Sequence, residues 1–153
     1  MRPWPRPPPS CGASCEGRAE LRILGVDIGE RRIGVAIADD RALVAIPLAT
    51  VPAHPDPVEA VARLVHEQKA DLLVVGLPIS MTGALGPQGQ RVMALVQEIS
   101  ARIPIPVETW DERLSTVEAQ RRLGPRHPKE RRDALAAAIV LQSYLDHLRG
   151  LRR

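Results

Sequence analysis

LRILGVDIGERRIGVAIADD (residues 21–40) is the stretch on which the fold turns. Its two apolar runs, LRILGVDIG and RIGVAIADD, are separated only by Glu30-Arg31, and that spacing predicts a β-hairpin. LVAIPLATV (43–51) adds a third extended run, a meander strand beside the hairpin. Pro52, Pro55 and Pro57 punctuate its exit. Pro57 suits the first turn of a helix, where the missing N–H is no loss.

Downstream the hydrophobic period changes. Over 57–69, Val58, Val61, Ala62, Leu64 and Val65 recur at helical spacing. DLLVVGLP (71–78) is continuously apolar, as a strand buried on both faces would be. ISMTGALGPQG reads as a Gly-rich loop, and QRVMALVQEISARI (90–103) as an amphipathic helix with Val92, Leu95, Val96 and Ile99 on one side. Pro104 and Pro106 bracket the entry to a strand, IPVETW. STVEAQRRL (115–123) places Ser115 and Glu118 at capping-box spacing, and a last helix is predicted over 133–149. The order β-β-β-α-β-α-β-α-α implies an α/β fold. Its mixed five-stranded sheet carries an antiparallel part at one side and helices on both faces. That element order is similar to the ribonuclease-H-like fold.

At 153 residues the chain has the size of one domain, placed at 19–150. Residues 1–18 hold five of the 15 prolines without periodicity, and are expected to be a disordered tail or an upstream start-site artefact. Phe is absent and aromatics total 2%, which predicts an aliphatic core. It also argues against binding single strands by ring stacking. The net charge of +3 leans mildly toward a polyanionic partner. The basic residues are 19 Arg and 2 Lys; Arg suits phosphate, although GC-rich coding would produce the same bias. No apolar run reaches the ~18 residues of a membrane span, and the N-terminus lacks the apolar stretch of a signal peptide. Cys11 and Cys15 have no second ligand pair nearby to complete a zinc site, so free thiols in a reducing cytoplasm are expected.

Three acidic positions require an explanation. Asp27 interrupts an apolar strand, between Gly25 and Gly29, which leave room for a close approach. A turn cap at the strand end is the plainer reading. Asp111 and Glu112 follow the strand IPVETW, where they are either functional or a solvated end with Arg113 pairing one acid. Neighbouring strand residues point to opposite faces, so one of the two at most can serve a common site. Asp133 opens the Ala-rich run DALAAAIVLQSYL, whose small residues allow close packing on the sheet; a helix-start acid favoured by the dipole is the alternative. Carboxylates in or beside a core cost several kcal/mol uncompensated, and convergence of three would suit a hard divalent cation. Arg121, Arg122, Arg126, Lys129, Arg131 and Arg132 stand against one acid, Glu130. They form either a solvated face or a phosphate-binding patch with salt-sensitive affinity. GxxxxGK[ST] is absent, the four histidines show no paired ligand spacing, and no Ser/His/Asp arrangement supports covalent catalysis.

Taken together, GVDIGERRIGVAIADD (25–40), VVGLPISMTGALGPQGQRV (74–92), DERLSTVEAQRRL (111–123) and DALAAAIVLQSYL (133–145) resemble the YqgF/RuvX family, relatives of the RuvC resolvases. The resemblance covers about residues 21–147. It implies a two-metal phosphodiesterase with Asp27, one acid of the 111–112 pair and Asp133 as ligands. Glu112 is the favoured member of that pair and Asp111 the reserve. In such a site two Mg²⁺ or Mn²⁺ ions lie roughly 4 Å apart, one activating water and the other steadying the leaving oxygen. Asp39 also matches a family acid position and is expected near the site but not in it. Ser80 and Thr82 depart from the family's GLPxNMDG, which puts substrate handling by that loop in question.

The resemblance implies nucleic acid as the partner, most directly the 5′ end of precursor 16S rRNA within ribosomal precursor particles. Four-way DNA junctions are the alternative, and that chemistry requires a homodimer with two symmetric sites. A non-catalytic ribosome-assembly binder would keep the fold without the reaction. GVDIGERRIGVAIAD also resembles the first phosphate loop of actin-like ATPases and sugar kinases, but those use two lobes and this length supplies one.

Overall fold

The computed structural model describes residues 21–39, 44–114 and 129–151. The Pro-rich lead-in with its two cysteines and the predicted helix at 115–123 lie outside the described residues. The hairpin and meander form as read: β1 (Arg22–Ile28), β2 (Arg32–Asp39) and β3 (Ile46–Pro52). They are followed by α1 (Pro57–Gln68), β4 (Leu72–Leu77), α2 (Pro87–Arg102) and β5 (Val107–Asp111). A single 3₁₀ turn, Glu112–Leu114, then leaves the sheet, and the last described element is α3 (Lys129–Leu151).

The five strands stand in the order β3-β2-β1-β4-β5. β1 pairs antiparallel with β2 and parallel with β4, and β4 pairs parallel with β5. The mixed sheet therefore carries its antiparallel half at one side, as the element order predicts. Strand alternation sorts the core. Leu24, Val26, Ile28, Ile33, Val35, Leu73 and Val75 pack under α1 and α2. Ile23, Ala36, Ala38, Leu72 and Val74 pack under α3 with Ala137, Leu141, Tyr144 and Leu145. The core is aliphatic, and Tyr144 is its one buried aromatic among the described residues.

Local chemistry sets the helix ends. Asp56 caps α1, its Oδ1 accepting from Val58 N at 3.0 Å, with Pro57 in the first turn as expected. The last helix begins at Lys129 rather than at Asp133, so Asp133 is no cap and lies one turn inside the helix. Close packing of α3 on the sheet follows from missing side chains on both surfaces. Ala137 and Ala138 are buried on the helix, and a Cβ at Gly25 would come 2.8 Å from that of Leu141. β5 is half-buried and held to α3 by Trp110, which donates to Ser143 Oγ at 3.0 Å, and by Tyr144, which donates to Glu108 Oε2 at 3.0 Å. The Trp110 and Tyr144 rings meet edge to face, centroids 5.5 Å apart.

Asp39 departs from expectation. The β1–β2 register pairs it with Arg22, at the opposite end of the hairpin from the Asp27–Gly34 pair. At about 3.4 Å per residue of strand, five positions of separation take it well away from Asp27.

Candidate active site

Asp27 lies one residue before the end of β1, on the α3 side of the sheet with Ile23 and Gly25. Both of its neighbours across the sheet are glycines. Gly34 is its partner on β2, and Gly76 follows the Val26–Val75 pair on β4. A Cβ at Gly76 would come 3.0 Å from Glu112 Oε1, so Glu112 crosses β4 over this bare position to reach Asp27. A Cβ at Gly34 would collide with the backbone carbonyl of Asp133, because α3 rests directly on the hairpin there. Acids from β1, from the turn after β5 and from α3 thus meet at the carboxyl ends of the parallel strands. That is the edge at which α/β sheets gather their sites.

Two carboxyl groups of this edge are in direct contact. Asp27 and Glu112 are hydrogen-bonded to each other. Burial, followed by the neighbouring charge of Asp27, pushes the Glu112 carboxyl up to about 8. Burial also raises Asp27; the proton held by Glu112 opposes that rise and the nearby Asp133 adds to it. Two half-buried carboxylates in contact cannot both ionise without cost, so the pair holds one proton between them near neutral pH. Arg32 supplies the compensation on the other flank, its Nε 3.0 Å from Asp133 Oδ2. The N–H does not point along that line, so among the described residues this buried oxygen has a charge partner but no hydrogen bond.

Asp111 faces elsewhere. Its carboxylate is clamped by Arg113, through Nη2 at 2.8 Å, Nε at 3.0 Å and the backbone N at 2.9 Å. Those hydrogen bonds hold it below the usual carboxylate range. Arg113 Nη1 also donates to Ser80 O at 3.3 Å, tying the Gly-rich loop to this strand end. Within the loop, the Ser80 and Thr82 hydroxyls are hydrogen-bonded at 2.8 Å, and Gly83 takes the positive φ of 87° that the turn requires.

Of the basic run, Arg121, Arg122 and Arg126 lie outside the described residues, as do the side chains of Lys129 and Arg131; Arg132 is exposed beside Asp133. Sequence reasoning missed Arg32, Gly34 and Gly76. The two glycines carried a signal, since both fall within strand runs where a side chain would ordinarily pack. Arg32 carried none, because its partner comes from a helix at the far end of the chain.

The donor set fits a divalent cation. It offers three carboxylates, all hard oxygen ligands, one of them with a buried oxygen lacking a hydrogen bond. Among the described residues no three such side chains already stand as a ready-made cage.

A mixed five-stranded sheet in this strand order gives the chain a ribonuclease-H-like fold. The family model RuvX, described as Holliday junction resolvase, matches residues 21–147, and the chain belongs to that family. Among its relatives, a protein of Chloroflexus aggregans is 48% identical over 138 residues, covering 86% of this chain and 97% of the relative. One of Thermoanaerobacter pseudethanolicus is 42% identical, covering 82% and 96%. Both bear the provisional name pre-16S rRNA nuclease. Solved structures share the fold at low identity. Thermus thermophilus RuvC in complex with Holliday junction substrate superposes with a TM-score of 0.57 at 17% identity, covering 85% of this chain and 96% of RuvC. The fowlpox virus Holliday junction resolvase gives 0.55 at 12%, covering 83% and 99%.

Proposed function

We propose that this chain hydrolyses phosphodiester bonds with divalent cations held by Asp27, Glu112 and Asp133, and that its substrate is the 5′ end of precursor 16S rRNA. The observation that carries the reading is the meeting of these three acids at one edge of the sheet, close enough for Glu112 and Asp133 each to shift Asp27. When bound, Mg²⁺ or Mn²⁺ would supply the electrophilic activation of the phosphodiester and of water. The protein's part is positional. Gly76 lets Glu112 reach Asp27, and Gly34 lets α3 carry Asp133 to the same edge. Glu112 must give up its proton before its carboxylate can act as a ligand. Arg121, Arg122, Arg126, Lys129, Arg131 and Arg132 would contact the phosphate backbone, positioning substrate without reading its sequence.

The rRNA reading is supported by the name that the relatives bear. A second reading, cleavage of four-way DNA junctions by a homodimer, is favoured by the description of the family model and by the likeness to RuvC. Purified protein offered precursor 16S rRNA and a four-way DNA junction in parallel, in Mg²⁺ and in Mn²⁺, separates the two, with Asp27→Asn as control. Preferential cutting of rRNA that the mutant loses is the expected result. Symmetrical nicking of the junction would transfer the assignment to DNA. Equal silence of both proteins would leave a nucleic-acid binder of the same fold.

A further inference from the structure

Beside the acids, a groove of about 710 Å³ runs between the edge strand β3 and the start of α3. Arg31, Arg32, Leu48 and Ala134 are among its lining residues. We propose that this groove is the track along which one nucleic-acid strand enters the site, with Arg31 and Arg32 holding its phosphates. The inference rests on the nuclease reading above and adds to it a path and two positioning residues.

Continuity with the acids is the first argument. Arg32 lines the groove and also touches Asp133, and Ala134, the next residue along α3, lines it too, so the groove adjoins the acid edge. Charge is the second. Among the described residues the lining contains two arginines and no acid, and the Arg31 side chain is exposed at the turn of the hairpin. A guanidinium fork suits phosphate oxygens. The third is the character of β3. Its pairing with β2 skips a residue between Val35–Ala49 and Ala36–Pro47, which leaves Leu48 as a bulge, 40% exposed on the groove wall. Such an apolar surface can lie against sugars and bases while the arginines hold the backbone. Pro47 and Pro52 each remove an N–H from this edge, so β3 makes a poor template for an added peptide strand. Among the described residues no aromatic ring lines the groove, and affinity there comes mainly from phosphate contacts that salt weakens.

The test uses the full chain carrying Asp27→Asn, so that substrate is bound but not cut. A fluorescein-labelled single-stranded oligoribonucleotide, its DNA counterpart and a four-way junction are titrated at several salt concentrations in Mg²⁺. Adding Arg31→Ala is expected to weaken binding about tenfold and to lower the salt slope by about 1. Arg31→Lys should restore most of the affinity. Leu48→Glu should weaken binding comparably by placing a carboxylate in the track. Arg63→Ala, on exposed α1 across the sheet, should change neither quantity. If Arg31→Ala and Leu48→Glu both bind as tightly as their parent, with the same slope, the groove assignment is overturned. Cleavage by the wild-type chain would in that case still stand. Failure of the parent to bind any probe would overturn the groove, and silence of the wild type in the cleavage assay would separately remove the nuclease reading.

Discussion

Glu112 concentrates the electrostatic problem of the site in one side chain. Its folded carboxyl is raised from the ordinary 4.5 to about 8. Below 4.5 the folded and unfolded chains both hold the proton, and the contribution to stability is complete. Between 4.5 and about 8 only the folded chain keeps it, so stability falls as pH rises through that window. Glu112→Gln imitates the protonated acid at every pH. Its melting temperature in metal-free buffer is therefore expected to gain on the wild type as pH climbs toward 8; a constant gap would mean that Glu112 is ionised in the folded state. Asp111 offers the contrast, because its carboxylate belongs to Arg113. In single-turnover cleavage, Glu112→Gln and Asp27→Asn should each lose at least about a hundredfold. Asp111→Asn should stay within about threefold, as removing a partly exposed ion pair costs little. The sequence made Asp27 readable, since an acid inside an apolar strand is conspicuous. It could divide Asp111 from Glu112 only by alternation, which says that they part but not which one faces Asp27. Arg113 and the bare Gly76 decide that.

At the scale of elements, the site depends on two strands yielding space. A Cβ at Gly34 would meet the backbone of α3, which has no rotamer to change, whereas one at Gly76 would meet the movable ends of Glu112 and Val140. Gly34→Ala should therefore destabilise the protein by about 2 kcal/mol or more in urea titrations, and Gly76→Ala by about 1 kcal/mol. Gly76→Ala should nevertheless abolish most cleavage by turning Glu112 away from Asp27. Equal stability losses with cleavage kept in Gly76→Ala would refute this division. Most elements were legible, because period-2 and period-3.6 patterns survive in a core without large rings. Three features were not. The start of α3 at Lys129 was hidden in a charged run that reads as a loop. The bulge at Leu48 is a matter of register, which a single strand cannot report. Asp39 lies at the far end of the hairpin, because a strand ending in an acid does not reveal which end of the sheet holds the site.

For the whole molecule, the acids are a local destabilisation that a cation would relieve. Ligand binding to the folded state alone adds about 2.7 kcal/mol at a hundredfold excess over Kd. Mg²⁺ or Mn²⁺ should thus raise the melting temperature of the wild type in a concentration-dependent way and leave Asp27→Asn nearly unmoved. Identical melting curves with and without metal would remove Asp27, Glu112 and Asp133 as ligands. The sequence by itself determined the order of the described elements, the aliphatic core, the family and the candidate acids at 27, 111–112 and 133, since each is written in local pattern or motif. Only the tertiary structure decided that Glu112 rather than Asp111 faces Asp27, that Arg32 stands against Asp133, and that Arg32 also lines a groove beside β3. Those are facts of juxtaposition between residues as many as a hundred positions apart. They follow from which strand lies beside which and how closely a helix can settle, and backbone register and missing side chains control both.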